Sequence, residues 1–244
     1  MVTISSLSGT AYVNNATVST QKSATASVGS STAASVSDSA AAMTASPSDT
    51  STESFSQVVA DARAALDAGY KRLGKAGDEY TTGDQWNNTV GLKNMDRRTL
   101  YTIASNQGGQ FSQSERDAAQ ITMDKQESDA MVAADPFNQD PAAAFKAAIN
   151  YLDAGSPEEK ASLQWAEARG GAECGYQRCM LEKGQTPEDV STGNPVVDLF
   201  ATAGFQLTKT NDMAASVQDM PAYKQATQLW AELYGQGHTI NMTV

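Results

Sequence analysis

The sequence predicts a mainly all-α protein, an irregular domain of about six to eight short helices behind a disordered N-terminal tail. Apolar residues recur at three- and four-residue spacings, one helix-loop-helix is marked by glycines and a capping box, and several helix starts pair a capping residue with a proline. We therefore predict two regions, a tail over residues 1–53 and a helical domain over residues 54–244.

The predicted tail, residues 1–53, differs in composition from the rest of the chain. It is dominated by Ser, Thr, Ala and Val, and Tyr12 is its single aromatic residue. So little apolar area does not offset a backbone entropy loss of about 1–2 kcal/mol per residue on folding, so we expect disorder. The alternative is a β-prone tail that orders on a partner, because Thr and Val favour strands.

Ser54–Leu73 is the first stretch with helical periodicity. Its apolar residues form one stripe, and Gly74 ends it. The stripe consists of Phe55, Val58, Val59, Ala62, Leu66, Tyr70 and Leu73. In the irregular connector 75–93 we predict that Trp86 and Val90 anchor the chain to the core, because tryptophan is highly buried on average. The alternative is that Trp86 is a binding contact.

The best-marked helix-loop-helix spans Asn94–Val132. A helix over 94–104 precedes a glycine-containing loop over 105–111, and the second helix begins at a Ser-x-x-Glu capping box formed by Ser112 and Glu115. In such a box each side chain bonds a backbone N–H that the helix leaves unpaired. We predict that the other helices pack around this unit.

The loop also carries oxygen ligands in a known pattern. With Glu115 at position 12 of a calcium loop, Ser112 falls at position 9, Asn106 at position 3 and a glycine at position 6. This spacing resembles an EF-hand, although Ala104 and Gly108 stand where the family has its ligands at positions 1 and 5. The resemblance implies calcium held by Asn106, Ser112 and Glu115. The alternative is a tight turn without the ion, because the capping box alone explains Ser112 and Glu115.

Four later helix starts share one pattern, a capping residue followed by proline. Proline suits the first helical position, and Ser, Thr, Asp or Asn is favoured just before it. Acidic residues follow two of the pairs, in the first turn where the helix dipole favours them. The pairs are Asp140-Pro141, Ser156-Pro157, Thr186-Pro187 and Asn194-Pro195, and Pro221 is predicted to start the last helix.

Apolar periodicity marks core faces on these later helices, and two short segments have strand character. The core faces are Phe145 to Leu152, Leu163 to Ala166, Val196 to Phe200 and Tyr223 to Leu233. Phe205–Thr208 alternates apolar and polar residues, and Ile240–Val244 is β-prone. We predict that these two segments could pair as a small exception to the helical fold.

The balance of charge argues against several partners. The formal net charge is −11, and the basic residues are few and scattered. Nucleic acids and anionic membrane surfaces both attract clustered Lys and Arg, so we expect neither as a partner. No apolar run approaches the roughly 18 residues of a membrane-spanning helix, and no cleaved signal peptide is apparent. We predict a cytoplasmic protein, or one exported without a cleaved signal.

Few residues are available for nucleophilic chemistry: Cys174, Cys179 and the single histidine, His238. The cysteine spacing is neither a Cys-x-x-Cys redox pair nor a zinc pattern. On a helix the two would point in different directions, so we predict two unreactive, partly buried thiols. A disulfide in an exported loop is the alternative. A thiol enzyme would need His238 beside one of the cysteines in space.

Adjacent like charges occur at Asp78-Glu79, Glu158-Glu159 and Arg97-Arg98. Paired acids can act as general acid and base in a glycosidase, and an arginine pair can hold a partner's carboxylate. The helix dipole already accounts for the acids at 158–159, and the first pair lacks an apolar flank that would raise a pKa. We predict that all three pairs are solvated charge.

These residues are compatible with three functions. The first is a non-enzymatic protein that binds a protein partner, and its Ser/Thr-rich, charge-poor N-terminus is similar to those of substrates exported by bacterial type III or flagellar machinery. The second is a small-ligand or calcium-binding module that uses the EF-hand-like loop. The third is a thiol enzyme using Cys174 or Cys179. Because no catalytic constellation is visible, we rank the interaction protein first.

Overall fold

The computed structural model describes residues 52–75, 77, 81–210, 212 and 214–235. Within these ranges the chain forms eight α-helices and no strands, which confirms the predicted all-α class. The helices are α1 Phe55–Leu73, α2 Arg97–Ser105, α3 Gln113–Ala134, α4 Pro141–Asp153, α5 Pro157–Lys160, α6 Leu163–Glu182, α7 Pro195–Lys209 and α8 Pro221–Tyr234. Nearly all of the predicted tail lies outside the described residues, as does the predicted strand Ile240–Val244.

Side-chain caps begin seven of the eight described α-helices, and the sequence predicts four of them, at Ser112, Asp140, Ser156 and Asn194. In each case a short polar side chain accepts a hydrogen bond from a backbone N–H of the first turn. The capping residues are Ser54, Asp96, Ser112, Asp140, Ser156, Ser162 and Asn194. Helix α8 starts at Pro221 without a side-chain cap. Helix α1 ends at Gly74, whose φ of 67° lies in the left-handed region that glycine tolerates.

The predicted helix at Thr186-Pro187 is wrong, because the chain is irregular from residue 185 to 194. Val190 is the one apolar side chain between Pro187 and Asn194 that could begin a buried stripe, so a helix here would have no face to pack. Two side chains of α6 hold the segment in place instead. The Val190 carbonyl accepts from the Arg169 guanidinium, and the Tyr176 hydroxyl accepts from the Glu188 N–H.

The predicted strand at Phe205–Thr208 is also wrong, because helix α7 continues through it to Lys209. Alternation over four residues fits one turn of helix as well as a strand, and no strand lies in the described part of the chain to pair with it. In the helix, Leu207 packs against a small cluster of Ala203, Val217 and Ala222. Tertiary packing therefore decides the conformation of this stretch.

The buried side chains form two large clusters. The first belongs to α1, α2, the first half of α3 and a π-helical turn over Gln85–Val90, where Trp86 and Val90 are buried as predicted. The second belongs to α4, α6, α7 and α8. Helix α3 passes from one to the other, since Met123 is in the first cluster and Met131 packs on the second. The fold is therefore two adjoining cores that share one long helix.

Helix α6 is buried nearly all round in its middle turns, between α4 and α7. Two glycines allow this close approach. An added Cβ on Gly170 would lie 2.7 Å from the Val197 carbonyl oxygen, and one on Gly175 would lie 2.5 Å from the Phe145 ring. The sequence predicts burial of α6 only at Leu163 to Ala166, because the small residues that follow form no apolar stripe.

Gly170→Ala is expected to destabilise the domain by about 1–3 kcal/mol, because the new methyl group meets α7 backbone atoms that cannot turn aside. Urea unfolding followed by circular dichroism measures the change. Gly83→Ala is the matched control, since an added Cβ there meets nothing within 4 Å and the residue is exposed. Equal stability of the two variants would contradict the close packing of α6 on α7.

Candidate functional site

The described residues enclose a polar cleft where the two cores meet. Its cavity volume is about 40 Å³, its mouth is partly open to solvent, and side chains from α2, α3, α4, α5 and α6 line it. The lining includes Arg97, Tyr101, Gln120, Met123, Asp124, Glu127, Tyr151, Glu159, Ser162, Gln164 and Trp165. The cleft combines partly buried charges with aromatic walls, so it is the candidate site of this fold.

Arg97 dominates the cleft. Its Nε donates to Glu159 Oε2 at 2.9 Å, and its Nη2 donates to Glu159 Oε1. Its Nη1 donates to the Tyr151 carbonyl, and the guanidinium lies 3.9 Å from the centre of the Tyr151 ring. The Arg97 and Glu159 side chains are 12% and 5% exposed. A planar guanidinium can satisfy carboxylate, carbonyl and ring together, which a lysine cannot.

A second ion pair runs beside the first. Arg98 donates to Glu158 with its Nε and Nη2, and also to the Glu53 carbonyl. The arginine dyad of α2 therefore meets the acidic dyad of α5, and the prediction of solvated faces for both dyads is wrong. No local pattern reveals this match, because about 60 residues separate the partners. The third dyad, Asp78-Glu79, lies outside the described residues.

Glu127 is an acid of the cleft that no arginine neutralises directly. Its pKa is raised from the ordinary 4.5 to about 7, chiefly by burial, with Arg97 lowering the pKa and Asp124 and Glu159 raising it. Asp124 accepts from the Gln120 amide at 2.8 Å. Sequence reasoning missed Glu127, because nothing in its local sequence distinguishes it from an exposed helical glutamate.

In the described ranges, the cleft contains charged side chains but no group of side chains placed to bind a metal ion. No group of three or more His, Cys, Asp or Glu side chains is placed there to hold a metal ion. Its carboxylate Glu159 is already held by Arg97 on both oxygens. The buried polar contacts of the cleft join α2, α3, α4 and α5.

Asn106, the first of the predicted calcium ligands, closes the loop after α2. Its φ is 48°, so it ends the helix in the left-handed conformation. Its Oδ1 accepts from the Phe111 N–H at 2.9 Å, and its Nδ2 donates to the Phe111 carbonyl at 3.0 Å. Both ends of the amide are therefore used within the loop.

Ser112 and Glu115 form the predicted capping box at the start of α3. The Glu115 carboxylate also accepts from the Tyr70 hydroxyl at 2.6 Å and from the Arg63 guanidinium at 2.8 and 2.9 Å. Glu115 is only 3% exposed. The calcium hypothesis stays a prediction, and a calcium ion would have to displace Arg63 and Tyr70 from this carboxylate. Titration calorimetry of the wild type and of Glu115→Gln tests it.

Cys174 and Cys179 lie on α6 as free, buried thiols. Burial raises the pKa of Cys174 to about 11 and also raises that of Cys179. A raised pKa keeps the thiol protonated at neutral pH, whereas a nucleophile needs the thiolate. The geometry favours the unreactive state, while His238 lies outside the described residues and the thiol-enzyme hypothesis stays a prediction.

No family model, curated protein or solved structure matches the chain. None of the helices described is long and apolar enough to cross a membrane.

Glu159→Gln is expected to lower the free energy of unfolding by about 3–5 kcal/mol, because it leaves the Arg97 charge partly buried without a counter-ion. Asp129→Asn is the matched control. Its ion pair with Lys125 is about two-thirds exposed on both sides, so the loss should stay under about 1 kcal/mol. Chemical denaturation of both variants measures the difference. Similar small losses in the two would show that the cleft pair does not hold the cores together.

Proposed function

We propose that the helical domain is a non-enzymatic protein-interaction domain and that Phe137 is the anchor of its binding surface. Phe137 is 80% exposed, the most exposed large apolar side chain among the residues described. Aromatic side chains are enriched among the few residues that carry most of the energy of protein interfaces. This exposure is the observation that supports the proposal most directly.

Hydrogen bonds within the loop constrain the backbone on both sides of Phe137. The Asp135 carboxylate accepts from the backbone N–H groups of Gln139 at 2.8 Å and Asp140 at 2.9 Å. Asn138 has a φ of 54°, and its N–H donates to the Asp135 carbonyl. A side chain on a preorganised loop loses less conformational entropy on binding than one on a loose segment. The loop is therefore suited to present an aromatic ring to a partner.

The surroundings of Phe137 suggest the chemistry of the partner. Val132, in the last turn of α3, is 43% exposed and adds apolar surface shortly before the loop. A partner with an apolar pocket for one ring suits such a projecting side chain. The acidic balance of the chain, with a formal net charge of −11, favours a partner whose surrounding surface is basic.

Export through a bacterial type III or flagellar route is the second part of the proposal. It is supported by the composition of residues 1–53, which are rich in Ser and Thr and poor in charge. Export would bring the interaction domain to a partner outside the cytoplasm.

Phe137→Ser is expected to reduce the recovery of the partner in pull-downs from the source cell at least tenfold, because a hot-spot side chain contributes about 2 kcal/mol or more. Ile121→Ser is the matched control, since Ile121 is 65% exposed on α3. Quantitative mass spectrometry of the bound proteins compares the two. Neither substitution should change stability by more than about 0.5 kcal/mol. Equal recovery with Phe137→Ser, or an equal loss with both, would overturn the assignment of Phe137.

Deletion of residues 1–50 is expected to abolish secretion and leave the helical domain folded, because the tail and not the core would carry the export signal. Secretion is measured by immunoblotting the culture medium against the cell pellet. Circular dichroism and the unfolding midpoint of the shortened chain are the control for folding. Undiminished secretion of the shortened chain would refute the export proposal without affecting the interaction proposal.

A further inference from the structure

The cleft described above lies at the boundary between the two cores. Its first wall, with Arg97 and Tyr101, belongs to α2 on the side of the first core. Its opposite wall, with Tyr151 and Trp165, belongs to α4 and α6 on the side of the second core. Helix α3 runs along the cleft between them. A change of charge inside the cleft therefore acts where the two cores are joined.

The charges around Glu127 do not balance. From α2 it faces Arg97 and Tyr101, from α3 Asp124, from α4 Tyr151 and from α5 Glu159. The residues that α6 contributes to the cleft are uncharged. Three carboxylates thus share one cation.

That cation is already committed. Arg97 uses Nε and Nη2 on Glu159 and Nη1 on the Tyr151 carbonyl. In the described part of the chain, the Glu127 carboxyl takes part in no hydrogen bond or ion pair. A charged Glu127 would therefore be a partly desolvated anion beside Asp124 and Glu159, with no donor of its own.

We propose that this cleft is a pH-sensitive joint between the two cores, closed when Glu127 is protonated and opened when Glu127 is charged. In the closed joint the neutral carboxyl adds no repulsion against Asp124 and Glu159. In the open joint Glu127 gains water, and α3 loosens from α2 and α4. The tie between α3 and α4, in which the Tyr151 hydroxyl donates to the Met123 carbonyl, lies at the point that would part.

The direction of the pH effect follows from linkage. The pKa of Glu127 is about 7 in the closed joint and returns towards its ordinary 4.5 when the side chain is solvated. The closed joint therefore binds more protons between these values. Closure is favoured fully below about pH 4.5, weakens as the pH rises, and stops changing above about pH 7. Between these two pH values the equilibrium constant for opening increases by up to about tenfold per pH unit.

Hydrogen exchange of the full chain between pH 5.5 and 7.5 tests the joint. Protection factors, corrected for the intrinsic effect of pH on amide exchange, report the opening of each helix. The amides of residues 120–131 in α3 are expected to lose protection by roughly tenfold or more from pH 5.5 to 7 and to level off above pH 7. Amides inside α7, within the second core, should keep their protection over the same range.

Glu127→Gln should hold the protection of residues 120–131 at the high value at every pH, because the amide stays neutral. Glu232→Gln is the matched control, since Glu232 is exposed on α8, and it should behave as the wild type does. Constant protection in the wild type, an equal fall in all helices, or an unchanged pH response in Glu127→Gln would each overturn the proposal.

Carbon-13 NMR of the Glu127 carboxyl in the wild-type protein gives a second test that depends on no variant. A titration midpoint near 7 supports the joint. A midpoint near the ordinary value of 4.5 overturns it, whatever the variants do.

Discussion

The packing of α6 is the constraint on which much of this structure depends. A helix can be buried on nearly all sides only if its neighbours can approach its backbone and if its fully buried charges are paired. Gly170 and Gly175 meet the first condition against α7 and α4. Arg169 meets the second: its side chain is 1% exposed, and it is paired with Asp153 and Glu173. Removing one member of such a buried set costs about 3–5 kcal/mol, because it leaves an unpaired charge.

The same arginine explains how an irregular segment is held against the core. Besides its two carboxylates, Arg169 donates to the Val190 carbonyl. The stretch from 185 to 194, which has no apolar stripe of its own, thereby gains a fixed point on α6. One buried guanidinium thus joins two helices and a loop, which is the type of role that the fork of arginine suits.

Two acids at helix starts serve a second purpose elsewhere in the fold. Glu115 closes the capping box of α3 and also accepts from Arg63 and Tyr70 of α1. Glu159 lies in the first turn of α5 and holds Arg97 of α2. A first-turn acid is fixed in direction by its helix, so a second helix can dock onto it with little further loss of entropy. Each of these acids thus stabilises the start of its own helix and also holds a second helix against it.

Helix α3 connects the features with functional interest. Its first turn carries Glu115, its middle borders the cleft at Glu127, and its end leads into the loop that exposes Phe137. The proposed interaction surface and the proposed joint therefore lie along one helix and its C-terminal loop. A loosening of α3 at the cleft would change the position of the Phe137 loop relative to the first core.

The sequence by itself determined the helical class, four of the seven capping residues and several helix starts, because caps, prolines and glycines act on backbone groups within a few residues. The same local signals failed at Thr186 and at Phe205–Thr208, where the presence or absence of packing partners decided the conformation. Only the tertiary structure decided that Arg97 meets Glu159 and that Glu127 is partly buried. Both results depend on burial and on contacts between distant elements, and no short-range pattern encodes those.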